Sequence, residues 1–172
     1  MTGLYIFLKY LTFPGALVRG MWEQTVCRRS KVVVEDNRYL RRDELASHVD
    51  HELMPTARSA FAICFVPFFF NMLGAFIFGL MPGIMMLWLQ FRGIFLIATC
   101  AVSWWFAVSL FCNAFPLVDD AMNMVDKVYH SGNILQKIFY APGVAITYVG
   151  AYLEKYSITF VIAVVLSIMI AI

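Results

Sequence analysis

Apolar residues in this chain come in long blocks, not in the alternation of a half-buried strand or the narrow stripe of a surface helix. The first block runs from Leu4 to Val26, is interrupted by Pro14-Gly15, and carries Lys9, Arg19 and Glu23. Arg58 to Leu80 is the cleanest block: Phe-rich, with Pro67 inside it and Asn71 as its one strongly polar side chain. Met81-Pro82-Gly83 reads as a turn, and Ile84 to Leu89 beyond it is too short to cross a bilayer, which suits an interfacial or re-entrant piece. Gly93 to Asn113 is a further span, with Trp104-Trp105 at its middle. Ile134 to Leu153 is weaker, broken by Pro142-Gly143, and Ser157 to Ile172 carries no charge. A membrane crossing takes about 20 apolar residues. The pattern therefore predicts an all-α membrane protein, a bundle of four to five transmembrane helices forming a single membrane domain over residues 1–172.

Two polar segments interrupt the blocks. Residues 27–57 hold a β-prone run, Lys31-Val32-Val33-Val34-Glu35, that suits a short β-hairpin, followed by charges of both signs including Asp43 and Glu44. Residues 116–133 form a second polar loop, and Glu154-Lys155 reads as a tight turn in water or headgroups.

Composition sharpens this picture. Of 172 residues, 62% are hydrophobic and only 14% charged, against about 25% charged in a soluble domain. The bilayer is thus the first partner, and a small, dispersed net charge of +2 excludes nucleic acid as another. Arg28, Arg29, Lys31, Arg38, Arg41, Arg42 and Arg58 crowd the first polar segment and Lys127 and Lys137 the region of the second. Arg92 and Lys155 stand alone opposite, so the positive-inside rule places both polar loops in the cytoplasm. The first block has no small-residue cleavage site and reads as retained. Four widely spaced cysteines make no Cys-x-x-Cys pair.

Candidate chemistry is sparse. Arg19 and Glu23 share a helix face at i,i+4. Asn113-Ala114-Phe115-Pro116 is followed by the acidic pair Asp119-Asp120, costly beside hydrocarbon. His48-Val49-Asp50-His51-Glu52 has His-x-x-His spacing, which fits either a divalent metal or a solvated polar loop.

From Phe13 to Arg28 the chain reads Phe-Pro-Gly-Ala-Leu-Val-Arg-Gly-Met-Trp-Glu-Gln-Thr-Val-Cys-Arg. With His51-Glu52 before Pro55, Pro67 with Asn71, and Phe115-Pro116 with Asp120-Ala121, this resembles small integral-membrane proteins related to the site-2-protease family. Members carry His-Glu-x-x-His, two zinc ligands around a general base, and a distant Asp as third ligand. The resemblance sets Arg19 and Glu23 at the two histidine positions, Gly20 at the base, and Asp120 or Asp119 at the Asp. It implies no catalytic residue and no resident metal, zinc being the less favoured outcome. It further implies a polar cluster drawn from Asp119, Asn113, Asn71, His51 and Glu52, with the Arg19 guanidinium pairing with Glu23 and Asp120 where zinc would sit.

The expected function is a catalytically inactive, site-2-protease-like binding or scaffolding subunit of a membrane complex, with a protein partner or a second copy, in a bacterial inner (plasma) membrane. Two alternatives stand beside it. One is an oligomeric pore or effector lined by Arg19, Glu23, Asn71 and Asp120; the other is a membrane metalloprotease with the non-standard ligands Glu23, Asp120 and His51.

Overall fold

The computed structural model describes residues 2–36, 38–39, 48–87 and 93–171. Arg41, Arg42, Asp43, Glu44, Arg92 and the end of the Ile84 to Leu89 piece lie outside the described residues.

The first apolar block is two helices, α1 (Thr2–Leu11) and α2 (Phe13–Arg29), joined at Thr12. Pro14 stands in the first turn of α2, where a helix has no use for its missing N–H. Arg28 and Arg29 close the last turn, facing the negative end of the helix. Beyond them the expected hairpin exists as a two-stranded antiparallel ribbon. β1 (Val34–Asp36) pairs with β2 (Asp50–His51), Val34 opposite His51.

α3 (Ala57–Leu87) departs from the sequence reading, because Met81-Pro82-Gly83 does not turn. The helix continues through both Pro67 and Pro82. Each proline removes one backbone hydrogen bond, whereas a turn among hydrocarbon would leave several polar groups unmet. α4 (Ile94–Cys112) starts after Gly93, whose φ of 83° suits glycine, and ends at Asn113 as expected. The second polar segment is not a loop either. It is α5 (Val118–Asp126) continued by one π-helical turn, Lys127–Ser131, because Ala121, Met124 and Val128 recur at helical spacing and are all buried. α6 (Ile134–Lys155) begins with the Asn133 N–H donating to Gln136 Oε1 at 3.1 Å. α7 (Ile158–Ala171) is turned by 108° from it.

Among the described residues, α3 and α4 are long and apolar enough to cross a membrane, and α6 with α7 make a third crossing if the bent pair is one broken span. The molecule is therefore mostly helical with a membrane-protein character, two or three of its helices being of spanning type.

Packing brings the ends of distant segments together. Cys27 of α2, Val32, Met54, Ile63 and Cys64 of α3, Met124 of α5, Val128 and Val144 of α6 form one buried cluster. Deeper down, α2 crosses α4 at Gly15. A Cβ there would fall 2.0 Å from the Ser109 carbonyl oxygen, so only glycine allows this backbone approach. The Gly15 N–H donates to Ser109 Oγ at 2.8 Å across the same contact. With α2 fixed against α3 and α4, the ribbon folds onto the polar face of α2.

A candidate metal centre on the inner face of the ribbon

The break at residues 113–116 frees backbone groups in the interior, and side chains from α2, α3 and α6 meet them. Asn113 Nδ2 donates to Thr12 O at 3.0 Å and to Ser109 O at 2.8 Å, while its Oδ1 accepts from Lys9 Nζ at 2.9 Å. Asn71 Nδ2 donates to Asn113 O at 2.8 Å. Arg19 Nη1 donates to Ala114 O at 2.7 Å, and the Phe115 N–H donates to Glu154 Oε2 at 3.1 Å. Lys9 also pairs with Glu154, both buried. Asn113 is thus held by Thr12, Ser109 and Lys9, and the Asn71 amide N–H by the break, while Asn71 Oδ1 is buried without a hydrogen bond.

Above this knot, Glu23 of α2, His51 of β2 and Asp120 in the first turn of α5 converge. His51 Nε2 lies 3.8 Å from Glu23 Oε1 and 3.8 Å from Asp120 Oδ1. One ligand atom from each of the three falls within 4.8 Å of the others. The ring's other nitrogen decides its chemistry. His51 Nδ1 sits 2.8 Å from the Glu52 carbonyl oxygen, which can only accept, so Nδ1 carries the proton. In the neutral ring Nε2 is then a bare lone pair. It is buried, has no hydrogen-bond partner, and points between two carboxylates; both Glu23 oxygens are buried and without a hydrogen bond as well. Acceptors facing acceptors are unfavourable until a cation or a proton enters. Two carboxylates and an imidazole nitrogen are the donor types of zinc and similar divalent ions, so the residues present fit a metal.

The surroundings carry opposing charges. Burial and the neighbouring Glu23 carboxylate push the Asp120 carboxyl up to about 6, against the pull of His51, His48 and Arg19. Arg19 Nε lies 3.6 Å from Glu23 Oε2 and donates to His48 Nδ1 at 3.1 Å. That bond puts the neutral His48 proton on Nε2, which faces Glu154 Oε1 at 3.7 Å from the wall of a cavity of about 180 Å³. Tyr5, Leu117, Asp119 and Tyr156 line the rest of it.

Several sequence expectations meet a definite outcome here. Glu23, His51 and Asp120 come together, and Arg19 pairs with Glu23; Asp120 faces His51 rather than Arg19. Asp119 and Glu52 do not join the polar cluster, since both side chains are exposed, Glu52 contributing only its carbonyl. The solvated-loop reading fails for the two imidazoles, which the ribbon buries by folding inward, while the Glu52 side chain stays exposed. Lys9 and Glu154 went unassigned in the sequence, and Glu154 is not in a headgroup turn: it is 4% exposed. Their pairing is not written in the local sequence: Lys9 shares its apolar block with Arg19 and Glu23, and Glu154 stands beside Lys155. At Gly20, a Cβ would stand 2.3 Å from the ring of Tyr39, which fills the space where a general-base side chain would begin. Compared with known proteins, the chain matches no family model, no curated protein and no solved structure, so the site is read from its own residues.

Proposed function

We propose that this chain is a membrane-embedded metal-binding scaffold: a site-2-protease-like frame without peptidase activity, in which Glu23, His51 and Asp120 hold a divalent ion, zinc fitting best. The observation that carries the reading is the His51 Nε2 lone pair, buried and unpartnered between two carboxylates while Nδ1 is committed to Glu52. When bound, the ion supplies the positive charge these acceptors lack and ties the ribbon to α2 and α5. The frame then presents its polar segments to a partner in a membrane complex. Both segments face the cytoplasm, and the α1–α2 and α6–α7 pairs each complete one passage beside α3 and α4, giving four.

Loss of peptidase activity is supported by position 20, where glycine leaves no base and Tyr39 occupies the space. The metalloprotease alternative uses the same three ligands, so turnover separates the two. Protein purified in detergent without chelator should carry about one zinc per chain by elemental analysis, an expectation set by the one three-ligand cluster among the described residues. Glu23→Gln with Asp120→Asn should abolish it. A metal-free wild type, or zinc content unchanged in the double variant, would overturn the centre; zinc-dependent cleavage of a membrane peptide would restore the enzyme.

A further inference from the structure

The three ligands above leave out one buried imidazole whose lone pair also faces Glu23, although an Arg19 N–H now holds it. His48 is wholly buried, and its Nδ1 lone pair lies 3.6 Å from Glu23 Oε2. That separation matches the 3.8 Å between His51 Nε2 and the other oxygen of the same carboxylate. Ligands of a tetrahedral zinc are about 3.3–3.5 Å apart, so the gaps to Glu23 close with small side-chain adjustments, whereas His48 stands outside the 4.8 Å grouping of Glu23, His51 and Asp120 and must swing toward the latter two to join them. The Glu52 carbonyl stands behind His51 Nδ1 at hydrogen-bond distance, and the Glu154 carboxylate, itself fixed by Lys9, faces His48 Nε2 at 3.7 Å, close enough to take up a hydrogen bond that is not made at present. Such a rear acceptor is what orients a metal-binding histidine. Both rings come from one short stretch of the ribbon, His48-Val49-Asp50-His51. What occupies the His48 lone pair at present is the Arg19 Nε–H, at 3.1 Å. Arg19 has a second anchor, Nη1 on Ala114 O at 2.7 Å, and keeps it if Nε lets go.

We propose that His48 is the fourth ligand of the centre, and that Arg19 is the competitor the ion displaces from its Nδ1. The inference rests on the metal reading above and deepens it. Glu23, His48, His51 and Asp120 make a closed set of two nitrogen and two oxygen donors, the arrangement of a structural rather than a catalytic site. Arg19 then sets the affinity: it withholds one ligand and places a positive charge beside the ion.

A double-mutant cycle on the full chain tests this, with Zn²⁺ affinity measured by competition against a chromophoric chelator. His48→Ala should weaken Zn²⁺ at least about tenfold, and Arg19→Met should tighten it by a similar factor. In the double variant the gain from Arg19→Met should largely vanish. An equal gain with and without His48 would mean that Arg19 acts by charge alone, and would overturn the proposal. If Arg19→Met does not fold, X-ray absorption on the zinc-loaded wild type decides: two imidazoles per zinc support the proposal, one overturns it. A wild type that binds no Zn²⁺ removes the centre itself and this inference with it, whereas binding through a single imidazole leaves the three-ligand reading standing.

Discussion

His51 acquires its role from a backbone contact. Were its Nδ1 free, the ring could turn its N–H toward Glu23 or Asp120 and the cluster would be an ordinary buried hydrogen-bond network. With the Glu52 carbonyl holding that proton at 2.8 Å, the neutral ring meets the carboxylates as an acceptor. Asp120 registers the same conflict. Burial and the Glu23 carboxylate push its carboxyl up to about 6 from an ordinary 3.8, so the folded protein holds this proton more tightly than the unfolded chain does. Stability from this group is fully present below pH ~4 and is lost as pH rises through ~6. The groups facing it are Glu23, which reinforces the effect, and His51, His48 and Arg19, which oppose it. In metal-free protein, melting temperature should therefore fall between pH 4 and 6.5 by more in the wild type than in Asp120→Asn. The displacement corresponds to about 3 kcal/mol at most. Parallel pH profiles for the two proteins would show that Asp120 does not feel its neighbours in this way.

Among the elements, α2 matters most because it carries Arg19, Glu23 and the backbone contact with α4. Gly15 sets how close the two helices come, and a methyl group there meets the Ser109 carbonyl oxygen at 2.0 Å. Gly15→Ala should force the helices apart and cost about 1–3 kcal/mol or more, with loss of the 2.8 Å bond from the Gly15 N–H to Ser109 Oγ. A melting temperature equal to that of wild type would show that the contact is looser than its geometry. The elements themselves were largely legible: α4 begins and ends within a residue of the apolar block that predicts it, and the β-prone run at 31–35 overlaps β1. Pro82 and the second polar segment were not. Proline signals a turn in water, but in an apolar setting the turn would expose more backbone than the kink does. The acidic residues of α5 hide its buried stripe of Ala121, Met124 and Val128, which is only three residues long.

At the scale of the whole molecule, charge balance governs the interior. Lys9 and Arg19 stand against Glu23, Asp120 and Glu154, so the buried cluster is one positive charge short before any ion or added proton arrives. The sequence pattern singled out Glu23 and Asp120 as acidic groups set in or beside apolar blocks. It could not locate Lys9 or Glu154, which lie 145 residues apart and are joined only by the tertiary fold. Their pairing makes a prediction that the local sequence does not. Lys9→Met leaves Glu154 as an uncompensated buried anion beside His48 and the Phe115 N–H, and should cost about 3–5 kcal/mol. Glu154→Gln, which takes from Lys9 its carboxylate partner and leaves the neutral Asn113 in place, should cost a similar amount. Combining the two removes both charges at once, so the double variant should be more stable than the sum of the single losses by a margin of the order of 2 kcal/mol. Thermal unfolding of all four proteins in one detergent measures that margin. Strict additivity would mean that each charge is satisfied by other partners, and that α1 and α6 are held together by packing rather than by this pair.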